Sequence, residues 1–247
     1  MNLKALNDRI RFAVRKKTAE YMVSPLKRQS YRFRYNHLAD PDKTITIRVE
    51  NIGYWYTGNR YDEITFPGEI RGGDWSEKLV SRAERLNGRA GWVGVQEHFE
   101  EGVPWEETTL FRKKYVPLFE KREVIKGCSS LSELAVHYSK TVDVLFENVK
   151  REGLLPQSKK RPDIDPIYIH IGPEGEIIYT VDGNHRLYMA MILGMEEIPV
   201  NVWMRHEKWQ EIREQILGDV GSVKNENLKR YLNHPDIISD IENDHKA

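Results

Sequence analysis

Apolar and polar positions divide the chain into a few distinct stretches. Over residues 3–23 the apolar ones recur at Leu3, Leu6, Ile10, Ala13, Val14, Tyr21 and Met22. That is the spacing of an amphipathic helix, with Arg9, Arg15, Lys16 and Lys17 on its polar side. Ser24-Pro25 predicts a break, because the residue before a proline avoids the helical region. Residues 43–49 alternate, with Ile45, Ile47 and Val49 facing one way, and predict a strand. Residues 53–105 then lose any period. They are rich in Gly and aromatics (Gly53, Trp55, Gly58, Gly68, Gly72-Gly73-Asp74-Trp75, Gly88, Gly91-Trp92, Gly94, Gly102, Trp105) and predict irregular structure and short elements held by buried tryptophans. Regular signals return after Gly127. Ser130-Leu131-Ser132-Glu133 is a capping box that opens a helix. A second helix is predicted over 142–152, with Val142, Leu145, Phe146 and Val149 on its apolar face and Gly153 as its stop. Residues 166–171 and 176–181 read as a hairpin around Pro173-Glu174-Gly175. A helix over 184–193 ending at Gly194, a strand over 198–204 and a helix over 206–217 that buries Trp209, Ile212 and Ile216 complete the pattern.

The chain of 247 residues has room for one large domain or two modest ones. With no clear linker, the Gly127 region is the best boundary. It separates residues 1–127 (basic helix, strand and Gly/Trp-rich region) from residues 128–247. Charge changes the picture only locally. The 38 basic and 38 acidic residues cancel, yet residues 1–49 carry twelve Lys or Arg against four acids. Such a stretch fits a nucleic-acid or anionic-lipid surface, with Arg15, Lys16 and Lys17 as its contacts, and equally a solvated helix packed on an acidic neighbour. The lone Cys128 has no internal disulfide partner and fits a reducing compartment. With neither a signal-type apolar run nor a window of membrane-spanning length, the expectation is a cytoplasmic protein without a transmembrane segment.

One segment carries chemistry. In Val181-Asp182-Gly183-Asn184-His185-Arg186, a predicted strand runs through a Gly-bearing turn straight into a helix. The first N–H groups of a helix lack intrahelical partners and stand at the positive end of its dipole, which makes an anion site. Gly183 allows the turn and the approach of a ligand to the backbone. Arg186 can grip phosphate oxygens, and His185 can supply a hydrogen bond or a proton. Asp182 can orient the histidine, accept a proton or hold a metal. The competing reading is that Asp182 or Asn184 simply caps the helix.

The surroundings of this turn resemble the ParB/sulfiredoxin superfamily over about residues 130–205. Asp143-Val144-Leu145-Phe146-Glu147-Asn148-Val149-Lys150-Arg151-Glu152-Gly153-Leu154-Leu155 is similar to its opening helix and Gly-Leu-Leu turn. Pro166-Ile167-Tyr168-Ile169-His170-Ile171 is similar to its next strand. Asp182 to Arg186, Ala190, Leu193-Gly194 and Ile198-Pro199-Val200 are similar to its signature turn, helix and closing strand. The resemblance implies an α+β fold: a ParB/sulfiredoxin-like small mixed sheet with flanking helices, here preceded by an irregular Gly/Trp-rich region. It also implies nucleotide phosphates bound at the turn. Chromosome-partitioning members carry Gly-Glu-Arg-Arg and a following DNA-binding domain, neither of which matches. Sulfiredoxin needs a cysteine where Asn184 stands. The Asp-Gly-x-His-Arg form is similar to that of the free-serine kinases, and the blocks around Asp74, Trp105 and His206 are similar to uncharacterised microbial ParB-like proteins.

These readings predict a nucleotide-dependent phosphotransferase or phosphohydrolase. Phosphates of ATP, ADP or CTP would lie on Gly183, Asn184, His185, Arg186 and Leu187, opposite a small-molecule acceptor. Asp182, His185 and Asp74 are the expected catalytic residues, with Asp182 as ligand to an accompanying Mg2+. The alternatives are a nucleic-acid-binding protein or nuclease and a non-catalytic nucleotide sensor. Asp74 is equally explained by a glycine turn anchored on Trp75. Trp105-Glu106-Glu107-Thr108 reads as capping, and His206, which follows the closing strand, reads equally as bordering a ligand cleft and as opening a surface helix. His185, His206 and His234 lack metal-ligand spacing, and Cys128 reads as an inert thiol.

Overall fold

The computed structural model describes residues 23–58, 65–121, 124–156, 166–180, 183–219 and 225–244. Two compact units account for the chain, and each is discontinuous in sequence. One holds Met1–Val80, Tyr168–Val181 and Pro199–Ala247, and the other holds Ser81–Ile167 and Asp182–Ile198. The boundary expected near Gly127 falls inside the second unit, because the hairpin of residues 168–181 and the strand after Pro199 join the N-terminal strands instead.

The first unit is built on a mixed sheet of seven strands among the described residues. They are β1 (Thr44–Arg48), β2 (Ile52–Tyr56), β3 (Glu69–Arg71), β4 (Leu79–Ser81), β5 (Tyr168–Ile171), β6 (Ile177–Tyr179) and β7 (Glu197–His206). Their order is β1-β7-β5-β6-β2-β4, with β3 also on β7. β5 and β6 form the expected antiparallel hairpin, with His170 opposite Ile178. β7 runs parallel to both β3 and β5, placing Met204 between Glu69 and His170. In β1, Ile45 and Ile47 are buried, as the alternation predicts.

The helices of this unit include α1 (Ser24–Arg34), which replaces the break expected at Ser24-Pro25. Pro25 stands in the first turn, where its missing N–H has no intrahelical role. The helix expected over residues 3–23 lies, apart from Val23, outside the described residues.

A buried ionic hub fastens the C-terminal helices of the first unit. Asp236 receives Arg205 Nε at 3.0 Å, Arg213 Nη1 at 2.8 Å and Trp209 Nε1 at 2.9 Å. Burial alone would raise the Asp236 carboxyl, but the two guanidiniums outweigh it and hold it far below the carboxylate range. The helix expected over 206–217 thus turns its buried face through Trp209, Gln210, Arg213 and Ile216, while Ile212 is only half-buried.

The second unit is helical. It holds α2 (Arg82–Leu86), α3 (Ala90–Phe99), α4 (Val116–Phe119), α5 (Leu131–Tyr138), α6 (Val144–Glu152) and α7 (Asn184–Ile192). Ser130 caps α5, its hydroxyl accepting from Glu133 N at 3.2 Å, while the Glu133 carboxylate takes Ser129 N at 2.7 Å. A π-helical turn, Ser139–Asp143, joins α5 to α6, and α6 stops at Gly153 with φ of 76°. The period-free stretch conceals α3, whose two glycines argue against a helix by propensity. Gly94 is there for space: a Cβ would meet Leu110 Cβ at 2.4 Å and Leu110 N at 2.7 Å. Gly91, three residues earlier, has only the Tyr188 ring edge at 3.8 Å.

These two glycines give opposite expectations in urea unfolding. Gly94→Ala should lower stability by about 1–3 kcal/mol through overpacking against main chain. Gly91→Ala should be neutral or raise stability by about 0.5–1 kcal/mol through helix propensity.

Candidate anion-binding site

The predicted turn enters α7 in the second unit. Gly183, the residue before the helix, has φ of 81° and ψ of 20°, a left-handed conformation that a side chain would strain. A Cβ there would also meet Ile167 Cα at 3.2 Å and Pro166 O at 3.3 Å. The glycine therefore lets the turn close against Pro166 and Ile167, the residues that lead into β5. Leu187 N bonds Gly183 O at 3.0 Å as the first helical bond. Of the two caps that the competing reading named, Asn184 is the first residue of the helix itself and Asp182 lies outside the described residues.

The motif side chains go separate ways. Arg186 is buried, and its Nη2 donates to Leu155 O at 2.7 Å, so this guanidinium ties α7 to the segment after α6. Beside the phosphate grip expected of it, Arg186 thus has a structural role that the motif does not show. Leu187 is wholly buried in the core. His185 is half-buried and presents its ring to the edge of Tyr138, with centroids 5.9 Å apart and planes at 83°. Asp182, expected as base and metal ligand, lies outside the described residues, as do Arg15, Lys16 and Lys17. Asp74 belongs to the first unit, where it is exposed ahead of the short Trp75–Glu77 helical turn. Trp75 is buried, with its Nε1 on Arg71 O at 3.0 Å, so Gly72-Gly73-Asp74-Trp75 forms an anchored turn.

Residues that the motif reading missed complete the site. Tyr115 and Tyr138 are buried and hydrogen-bonded to each other through their hydroxyls. Burial raises both phenols well above their ordinary pKa, so neither ionises at neutral pH. Lys114 Nζ lies 5.2 Å from the Tyr115 ring centroid, and Lys126 Nζ lies 4.9 Å from that of Tyr138. Two ammonium groups thus sit on one pair of tyrosines, beside His185. Burial against the protein lowers both lysines, followed by repulsion from Arg89 on Lys114 and from Lys114 on Lys126. No acid ion-pairs with Lys114 or Lys126 among the described residues.

The backbone under Lys126 is itself strained. It is the only non-glycine with positive φ among the described residues, at 51°. Ile125 and Cys128 exchange backbone bonds of 2.9 Å, so Lys126 and Gly127 form a two-residue turn with both φ angles positive. Asn or Gly normally stands at the first of those positions, and strain of this kind gathers at functional sites.

His185 responds to this environment. Burial first, then the positive charges of Lys126 and Lys114, bring its pKa down to about 4. At neutral pH the imidazole is uncharged and offers one N–H, with electrophilic strength supplied by the lysines.

The other candidates have structural partners. His206 caps the helix Glu207–Leu217 (α8), its Nδ1 accepting from Lys208 N at 3.1 Å and its Nε2 at 3.0 Å from Gly73 O. Glu106 and Glu107 are exposed on a short turn whose Trp105 is buried and bonds Asp143 at 2.8 Å. Cys128 is buried. Among the described residues no group of three or more His, Cys, Asp or Glu could hold a metal ion, and no helix is long and apolar enough to cross a membrane. The turn offers no described carboxylate for Mg2+, which leaves Asp182 as the one motif residue able to hold it. No family model, curated protein or solved structure matches the chain.

The depressed histidine sets a pH expectation. The unfolded chain binds a proton on His185 near 6.5, whereas the folded chain resists it down to about 4. Its contribution to stability is therefore complete above pH 6.5 and is lost as pH falls towards 4. In wild type the urea midpoint should drop across that window, and His185→Gln should remove part of the slope. An unchanged slope in the variant would show that His185 titrates normally.

Proposed function

We propose that this chain is a nucleotide-binding protein of ParB/sulfiredoxin type, which seats a phosphoryl group at the start of α7. The observation that carries the reading is the convergence of Lys114, Lys126 and the His185 N–H beside the start of α7, with no acid ion-paired to the lysines among the described residues. Cations brought together against mutual repulsion and partial burial mark a place where a negative ligand completes the balance. The order α6, β5, β6, Gly183 turn, α7, β7 also supports the family reading, since these are the elements its signature segments require.

In the catalytic form of this reading, an acceptor hydroxyl attacks the terminal phosphorus and the bond to the bridging oxygen breaks. The shortened nucleotide leaves, and the hydroxyl proton passes to Asp182. Lys114, Lys126 and the positive end of the α7 dipole stabilise the charge on the transferred group. His185 contributes a hydrogen bond rather than a charge. Mg2+, if used, would be held by Asp182 together with the phosphates.

Isothermal titration with ATP, ADP, CTP and GTP, with and without Mg2+, tests the binding. At least one should bind. Lys126→Asn, which suits the strained turn, should weaken it by about 10- to 100-fold through loss of a charge-assisted bond. The same substitution should leave the melting temperature unchanged or raised. His185→Gln should cost about fivefold. Absence of binding to all four nucleotides, or full affinity in both folded variants, would refute the proposal. Asp182→Asn should keep binding and abolish phosphate release. A wild type that binds and never turns over would be a sensor.

A further inference from the structure

The positive groups continue past the start of α7 to a second cluster. Arg85 lies on α2 and Arg89 precedes α3, the two linked by a tight turn in which Arg89 N bonds Leu86 O at 3.1 Å. Arg85 Nε, Arg89 Nη1 and the Tyr188 hydroxyl are all buried with no hydrogen-bond partner among the described residues. Tyr188 is only 2% exposed, so its orphaned hydroxyl has no recourse to bulk water. Three unsatisfied donors in one place, two of them on guanidiniums, are costly unless a ligand accepts from them.

The position of this cluster is defined by packing. Tyr188 meets Trp92 of α3 at 5.4 Å between ring centroids, and its ring edge stands 3.8 Å from where a Gly91 Cβ would be. Burial raises the Tyr188 phenol, while Arg89 and Arg85 pull it down, so both guanidiniums lie within electrostatic reach of it. α3 is a ten-residue helix, and no side chain caps it. Arg89 also repels Lys114, which joins this cluster to the first. Tyr188 follows Asn184 by four residues, so the two positions differ by about 6 Å along α7.

We propose that Arg85, Arg89, Tyr188 and the first amides of α3 form a second phosphoryl subsite, and that the ligand is a linear polyphosphate bridging it to the site at the start of α7. The proposal rests on the anion site argued above and narrows its ligand to one bearing a chain of phosphoryl groups, attached to a nucleoside or bare. A single phosphate can engage one cluster only. A chain engages both and gains the second set of charge-assisted bonds without a second loss of translational freedom.

The test titrates the full chain with orthophosphate, tripolyphosphate and ATP. Tripolyphosphate should bind at least about tenfold tighter than orthophosphate. Arg85→Gln/Arg89→Gln should erase that advantage while leaving orthophosphate within about twofold, and its melting temperature should not fall, because the ligand-free cations are repelled. Tyr188→Phe, which removes only the orphaned hydroxyl, should reduce tripolyphosphate affinity about fivefold. ATP binding tighter than tripolyphosphate assigns the ligand to a nucleoside, and equal binding assigns it to the bare chain. Orthophosphate that binds as tightly as tripolyphosphate would overturn the second subsite and leave the first standing. So would an advantage that survives in both variants. Binding of neither ion would overturn both.

Discussion

The hydrogen bond between the buried hydroxyls of Tyr115 and Tyr138 is the interaction on which the candidate site depends. It joins the π-helical turn Phe111–Tyr115 to α5, two segments far apart in sequence. With each phenol satisfied by the other, both rings can be buried without a polar penalty. Their faces then carry Lys114 and Lys126, and the edge of Tyr138 receives His185. An ammonium over a ring gains from the quadrupole without being neutralised, so it keeps its charge for another partner. A carboxylate in the same place would have satisfied the lysines and closed the site to anions. Loss of the phenol pair would leave two orphaned hydroxyls and remove the surface that aligns the cations.

The sequence was most informative where local rules decide the outcome. The Ser130 cap, the Gly153 stop, the β5–β6 hairpin and the helix after Gly183 all follow from turn chemistry and periodicity, and they stand where those predict. The discontinuous units were not legible, because strand pairing across more than a hundred residues leaves no local trace. α3 was missed for a related reason: Gly94 lowers its propensity, yet the glycine exists to admit Leu110, a residue sixteen positions away. Arg213 follows the same logic. Its burial makes sense only once Asp236 is known to face it.

The candidate site was half legible. Gly183 and His185 could be found because a strand, a glycine and a helix start are adjacent in sequence. The bond of Arg186 to the Leu155 carbonyl was not legible, since an arginine beside a phosphate-type turn looks the same whether or not it also ties two segments together. The lysines and the two arginines gave one weak signal, Lys126 beside Gly127, a pair that a two-residue turn with positive φ angles would fit. Arg85, Arg89 and Lys114 sit among many exposed charges and acquire meaning only through the tyrosines that collect them.

A comparison within the molecule separates these cations from ordinary surface charge. In the first unit Arg205 and Arg213 share Asp236, Lys43 pairs with Asp240, and Lys27 and Arg71 share Glu69. These cations have carboxylates within reach, as desolvation requires, while the half-buried Arg28 of the same unit rests on the Pro67 carbonyl at 3.0 Å. In the second unit Arg85, Arg89, Lys114 and Lys126 are drawn together without one among the described residues, and buried guanidinium nitrogens of Arg85 and Arg89 remain without any acceptor. The chain has as many acids as bases, so this is not a shortage of carboxylates. Two guanidiniums and two ammoniums held close around neutral phenols repel one another, and on the proposed reading phosphoryl oxygens would relieve that repulsion. On that reading, affinity for an anion and the mutual repulsion of the cations are two aspects of the same electrostatic arrangement.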